Sequence, residues 1–402
     1  MTHSELEDKA CAYLDKFCRQ ITTRQVGSAG NREATDFFQS VISSFGFKTS
    51  VQPFDCIDMR TGEIRLSAGE QPFTAYISPY SLGCQVRAEL VAASTMQELE
   101  TLEAAGKLLL LRGELTREQL MPKNFVFYNP ESHQRLYQLL ESKQPAAIIA
   151  ATDRNPEQVG ALYPFPLFED GDFDIPSAYL TDEEGKRLLE YFGQQVELFM
   201  DAERIPAQAE NVIALKPGPS EKKVVVCAHI DARVGTPGAL DNASGCSVLL
   251  LLAELLAAEK PRATIEIVAF NGEDYYSAGG QMAYLAAQTD LSNTVDLAIN
   301  LDDLGYIGHA TGFSFYNCSD SIIELTRSVI ACYPNISEMP QWYQGDHMIF
   351  VSNQVPALAL TSTGFEELMM HITHTPKDIP QVVDLQLLIE AALALRDLVL
   401  ML

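Results

Sequence analysis

The sequence predicts an α/β protein: a mixed, mostly parallel sheet flanked by helices, with a smaller α/β domain inserted into it. Three observations carry this expectation. The stretch 223–256 opens with Val224-Val225-Val226-Cys227-Ala228, an apolar β-branched run suited to a strand buried on both faces. It then crosses a Gly/Pro loop into a long Leu/Ala-rich segment of helical length. Apolar runs at 263–270 and 295–301 repeat the strand pattern, and each stops close to acidic residues. Finally, 402 residues are too many for one ordinary core, and the texture changes between residues 55 and 205. The expected division is 1–54 with 206–402, and 55–205 inserted.

Taken in order, residues 4–19 have helical spacing, with Leu6, Cys11, Leu14 and Phe17 near one face. A Gly/Ser loop (Gln25 to Gly30) precedes a second helix over 31–45, ended by Gly46, and residues 47–54 alternate like an edge strand. Arg24 and Arg32 read as surface or packing charges. In the inserted domain, strands are expected at 63–66, 86–92, 107–111, 146–151 and 196–200, and helices at 96–105, 130–142 and 182–192. His133 stands alone in a polar helical context and reads as exposed. The aromatic loop from Leu162 to Phe168 either lines a substrate entrance or packs beneath its own domain, and Arg204 to Ala207 reads as a linker. A strand over 355–360 and a helix over 381–402 close the chain.

The acids and histidines fall where these strands stop. His229 and Asp231 end the first strand, and Asp241-Asn242 lies near the start of the following helix. Strand, loop and helix bring His229 and Asp241 to the carboxyl edge of the sheet, where open α/β folds place ligands. Glu273 and Asp274 sit together after the next strand; a metal bound by one relieves their repulsion and leaves the other free as a base. Of Asp302 and Asp303, alternation lets at most one face the site. His371 and His374 are close in sequence, and Pro376 places His374 in a loop. Imidazole and carboxylate donors converging there suit a divalent metal.

Composition excludes other classes. A net charge of −26 disfavours nucleic acid and anionic membrane as partners. No uncharged apolar run reaches the length of a membrane span, and the polar, acidic start lacks a signal-peptide layout, so a cytoplasmic location is expected. The eight cysteines lack CxxC spacing and read as reduced, mostly buried thiols.

The ordered series AHID, ALDNASG, FNGED, NLDDLG, GDH and HTPKD resembles the co-catalytic zinc aminopeptidase family. That family includes aminopeptidase Y, glutamate carboxypeptidase II, the glutaminyl cyclases and the catalytically dead transferrin receptor. The resemblance covers residues 211 to the C-terminus, and the inserted domain looks like a protease-associated domain. It implies a three-layer zinc-peptidase fold and two zinc ions bridged by Asp241. His229 and Asp302 would complete one ligand set, and Asp274 with His374 the other. Glu273 would be the general base and Asp231 would orient the His229 imidazole. The implied activity is removal of N-terminal residues from peptides or amino-acid conjugates, with a homo-oligomer left open.

The chain departs from the family pattern twice. Asp274 stands where many relatives have Glu, and Thr373 where some carry an oxyanion-stabilising Tyr; Tyr343, Tyr306 and His347 are the candidates to replace it. Asp346-His347 matches the family's Asp-His pair. Two other functions compete, a single-zinc glutaminyl-cyclase-like aminoacyltransferase and a non-catalytic binding protein. The full ligand set, Glu273 and the inserted domain argue against them.

Overall fold

The structure, a computed structural model, describes residues 2–155 and 158–402. The chain divides into two compact units, Met1–Cys56 with Gln208–Leu402, and Ile57–Ala207.

In the first unit, four parallel strands lie side by side in the order Thr264–Phe270, Lys223–His229, Val295–Leu301, Ala357–Ser362. The end of the strand Gln195–Lys216 borders them antiparallel on one side, and Thr311–Tyr316 on the other, with Ile336–Glu338 beyond it. Alternation along the Lys223–His229 strand explains its composition. Val224, Val226 and Ala228 pack into one core with helices His3–Asp15, Ala29–Ser44, Gly245–Leu256 and Leu385–Met401. Val225 and Cys227 face a second core containing Tyr284, Ile349 and Phe350 from helices Gly279–Ala286 and His347–Ser352. A strand covered on both sides can be apolar throughout. Helices on both faces make three layers.

The Gly245–Leu256 helix shows how strongly burial decides the fold. The segment Ala239–Leu256 has 18 residues and, though it includes Asp241 and Glu254, is long and apolar enough to cross a bilayer, but 89% of it is buried inside the protein. Its leucines other than the partly buried Leu255 are core residues, each contributing roughly 1.5–3 kcal/mol through burial.

The second unit has its own parallel strands, Cys84–Ala93, Leu108–Leu111, Ala147–Thr152 and Ser177–Thr181, with short Tyr76–Ile77 antiparallel at the end. Helix Glu131–Lys143 covers one face through Leu136, Tyr137 and Leu140, and helix Asp182–Leu189 the other through Leu188. Several expectations change here. Residues 204–207, read as a linker, lie where the second unit ends but are extended strand, because Gln195–Lys216 continues through them, with Pro206 at an exposed position where its missing N–H costs little. The edge strand expected at 47–54 is the first part of a 21-residue strand, Lys48–Ala68. His133 is buried: its Nδ1 accepts the Met121 N–H at 3.0 Å and its Nε2 faces Glu118. In the aromatic loop Phe165, Leu167 and Phe168 are buried, Leu167 and Phe168 within the unit's own core. The eight cysteines are all free; Cys56, Cys227 and Cys246 are buried, while Cys11 and Cys332 are exposed.

One polar joint fixes the Ala29–Ser44 helix against the sheet edge. The Asn31 and Asn271 amides donate to each other at 2.9 Å, and Asn31 also donates to the Arg24 carbonyl. The Asn271 N–H donates to Asn211. Asn31→Ala leaves these buried partners unsatisfied, and urea unfolding should show a loss of about 2 kcal/mol or more. A loss below about 0.5 kcal/mol would contradict this role for the joint.

Candidate metal centre

Register brings the site together. Phe270 pairs with His229, and Asn300 with Cys227, so the residues after Phe270 and Leu301 emerge level with His229. His229 is buried at the strand end and its backbone continues as Ile230, whose N–H donates to the Phe270 carbonyl at 2.7 Å. Asp231 then turns back: Oδ1 accepts the N–H groups of Gly272 (2.6 Å) and Glu273 (3.3 Å), and Oδ2 that of Asp274 (3.1 Å). One buried carboxylate thus fixes the turn that presents Glu273 and Asp274. Gly272 has φ +97°, a conformation that favours glycine in this turn. Asp231 Oδ1 also lies 3.6 Å from His229 Nδ1, beside the ring it was expected to orient.

Asp241 stands at the centre. Its Oδ1 lies 3.1 Å from His229 Nε2, which is 3.4 Å from Asp302 Oδ1. Its Oδ2 lies 3.0 Å from His374 Nε2, which is 2.7 Å from Asp274 Oδ1. The two oxygens of one carboxylate therefore serve two separate imidazole–carboxylate pairs. Donor atoms of His229, Asp241 and Asp274 all fall within 4.8 Å of one another. Asn242, the next residue, accepts through Oδ1 the N–H of Gly245, the first residue of the helix.

Of the paired alternatives, Asp302 and His374 join the cluster. His371 is exposed at the end of its helix. Asp303 is buried with φ +54°, and its carbonyl accepts the Ser362 hydroxyl. The three candidates for an oxyanion donor are engaged elsewhere. Tyr343 is largely exposed and donates to Gln341, and Tyr306 stacks on His309 and donates to Glu367. His347 is fully buried between Trp342 and Tyr316, and burial pushes its ring down to about 4. Thr373 is buried with no partner for its hydroxyl.

Sequence reasoning missed two residues. Asp378, quoted within HTPKD without a role, accepts the N–H groups of Leu240 and Asp241. Arg24, read as surface or packing, is buried and donates to the carbonyls of Phe17, Ile230, Pro237 and Gly238. Arg24 lies far from the site in sequence; Asp378 falls within HTPKD, but both side chains bind backbone groups of the Asp241 turn, a contact that no side-chain motif signals.

Without a cation this arrangement is electrostatically costly. Both ring nitrogens of His229, Oδ1 of Asp302 and Oδ2 of Asp274 are buried without a hydrogen-bond partner. Burial, with Asp274, Asp302 and Asp346 nearby, raises the Glu273 carboxyl well above the usual carboxylate range. Burial likewise raises Asp302 and Asp303, and holds Asp346 up at about 7. Burial disfavours a charged His374, but Asp274 and Asp241 outweigh it and push the ring up to about 9. Asp241 moves the other way: burial raises it, but the His229 and His374 rings facing its two oxygens hold it below the usual range. Two imidazoles and three carboxylates, with no thiolate, fit a divalent ion of zinc's character.

Residues 211–399 match the profile of peptidase family M28. The chain is 34% identical over 151 residues to a probable zinc metalloprotease of Leptosphaeria maculans, covering 33% of this chain and 32% of that protein. It is 28% identical over 239 residues to a probable leucine aminopeptidase of Trichophyton verrucosum, covering 54% and 64%. The chain thus spans from about a third to under two thirds of these relatives' lengths. Among solved structures, a zinc aminopeptidase from Bacillus subtilis shares the fold with TM-score 0.73 at 20% identity, over 98% of this chain and 94% of that one.

The titrations set a pH test. His229, His374, Glu273, Asp302, Asp303 and Asp346 all have folded values raised above their unfolded ones. Each therefore contributes stability below its unfolded value and loses it as pH rises through the folded one. For His374 that window runs from 6.5 to about 9. Metal-free protein should show a falling Tm across it, and added zinc, competing for the same nitrogens, should stabilise more at the upper end. A Tm flat across this window, with a zinc effect independent of pH, would contradict the assignment.

Proposed function

We propose that the chain, whose residues 211–399 match the profile of peptidase family M28, is a zinc metallopeptidase that removes single residues from the N-termini of peptides. One observation carries this reading: Asp241 offers one oxygen to the His229–Asp302 pair and the other to the Asp274–His374 pair. The reading assigns a cation to each pair, with Asp241 shared between them. Bound there, zinc would polarise the scissile carbonyl and lower the pKa of water toward about 7.

The chain's own residues do the rest. Glu273, whose carboxyl is raised above the usual carboxylate range by burial, takes the proton of the attacking water and returns it to the leaving amine. Asp231 holds the main chain of Glu273 and Asp274, so base and ligand keep a fixed offset. A site crowded with carboxylates favours a cationic α-amine at the reacting end of the substrate. That supports cleavage of the first residue over cleavage within a peptide. The inserted unit, in this reading, is a protease-associated domain.

Glu273→Gln should lower kcat by about 10²–10⁴-fold while elemental analysis finds the zinc content unchanged. Residual activity within about tenfold of the parent would remove Glu273 as base. The parent protein should release the first residue of a peptide with a free N-terminus and leave its N-acetylated form intact. Conversion of N-terminal glutamine to a pyroglutamyl end, without hydrolysis, would replace the peptidase reading with the cyclase-like one.

A further inference from the structure

Asp378 is fully buried and makes an unusual set of contacts with the turn that carries Asp241. Its carbonyl accepts the Ala239 N–H at 3.2 Å, its Oδ1 the Leu240 N–H at 2.7 Å, and its Oδ2 the Asp241 N–H at 3.1 Å. Three consecutive donors of one turn therefore end on one residue. From the other side, the Arg24 guanidinium donates to the carbonyls of Pro237 and Gly238 in the same turn. The turn is gripped through its backbone from both directions.

The position of Asp378 in the chain gives this grip a direction. It lies four residues after His374, in a loop tightened by the Thr375 hydroxyl, which donates to the Ile372 carbonyl and accepts the Lys377 N–H. The Asp378 N–H donates to the Thr375 carbonyl. One short loop thus carries a ring facing Asp241 Oδ2 and the carboxylate that fixes the Asp241 main chain. Nothing comparable ties Asp378 to the His229–Asp302 side, whose donors come from two paired strands.

We propose that Asp378 is a positioning residue that sets the Asp241–His374 spacing, and so governs the affinity of the Asp274–His374 cation subsite selectively. This rests on the two-cation reading above. A charged acceptor aimed at two neighbouring N–H groups holds their orientation more firmly than a neutral one. Asparagine has one acceptor oxygen, and its NH₂ group would face a backbone N–H. Asp378→Asn should loosen Asp241 and the His374 loop together, displacing two donors of the Asp274–His374 subsite but only the shared Asp241 on the strand-held side.

The test is zinc titration of metal-free protein against competing chelators, for the parent, Asp378→Asn and Asp378→Glu, with Asp274→Ala as reference. The parent should bind two ions. In Asp378→Asn the weaker ion should lose about 10–100-fold in affinity, as in Asp274→Ala but less completely, while the tighter ion loses far less. Asp378→Glu, which keeps the charge, should recover part of the loss. A parent that binds fewer than two ions defeats the two-cation reading itself. A parent with two ions and an Asp378→Asn variant that retains both affinities, or weakens both equally, overturns selective positioning. Failure of both Asp378 variants to fold would also overturn it, leaving a general structural role.

Discussion

Everything near the site depends on one carboxylate being held still with both oxygens in use. Asp241 is buried, faces a different imidazole with each oxygen, and lies where it cannot shed charge to water. An exposed carboxylate would rotate among orientations and favour neither neighbour. Here the backbone of its turn is fixed by Asp378 below and Arg24 beside it, and the following helix is anchored in the core by its leucines. The large apolar burial of that helix stabilises a segment whose leading end carries charge. The order of the sheet then supplies partners, since neighbouring parallel strands end at the same level.

The carboxyls around this point repel one another, and several are raised by burial. In water such a group would be solvated; here the counter-charges at hand include the two imidazoles and the Arg233 guanidinium, which lies 3.0 Å from His374 Nδ1. Protons on those rings and on the acids are the neutralising charges open to the metal-free chain, and divalent ions do the same work at higher charge density. In the proposed peptidase reading, Glu273, the residue beside Asp274, is the group left free to carry a proton.

Much of this was legible in the sequence because the donors sit at strand ends in buried, β-branched segments. The strand 223–229 and the helix after it were readable from composition, and strand alternation limited Asp302-Asp303 to one inward residue. The less readable parts depend on long-range backbone contacts. Asp378 meets the turn 239–241 from more than a hundred residues away, and Arg24 reaches it from the first helical region. The long strands Lys48–Ala68 and Gln195–Lys216 were also obscured, because their exposed, polar stretches read as edge and linker. His133 misled for a related reason: its polar neighbours gave no sign that a backbone N–H would occupy its ring.

Anomalous scattering at the zinc absorption edge, from crystals of the metal-loaded protein, tests the central claim most directly. The account predicts two peaks about 3.5–4 Å apart, one against each oxygen of Asp241. A single peak on one side of Asp241, or peaks that do not touch it, would contradict the account.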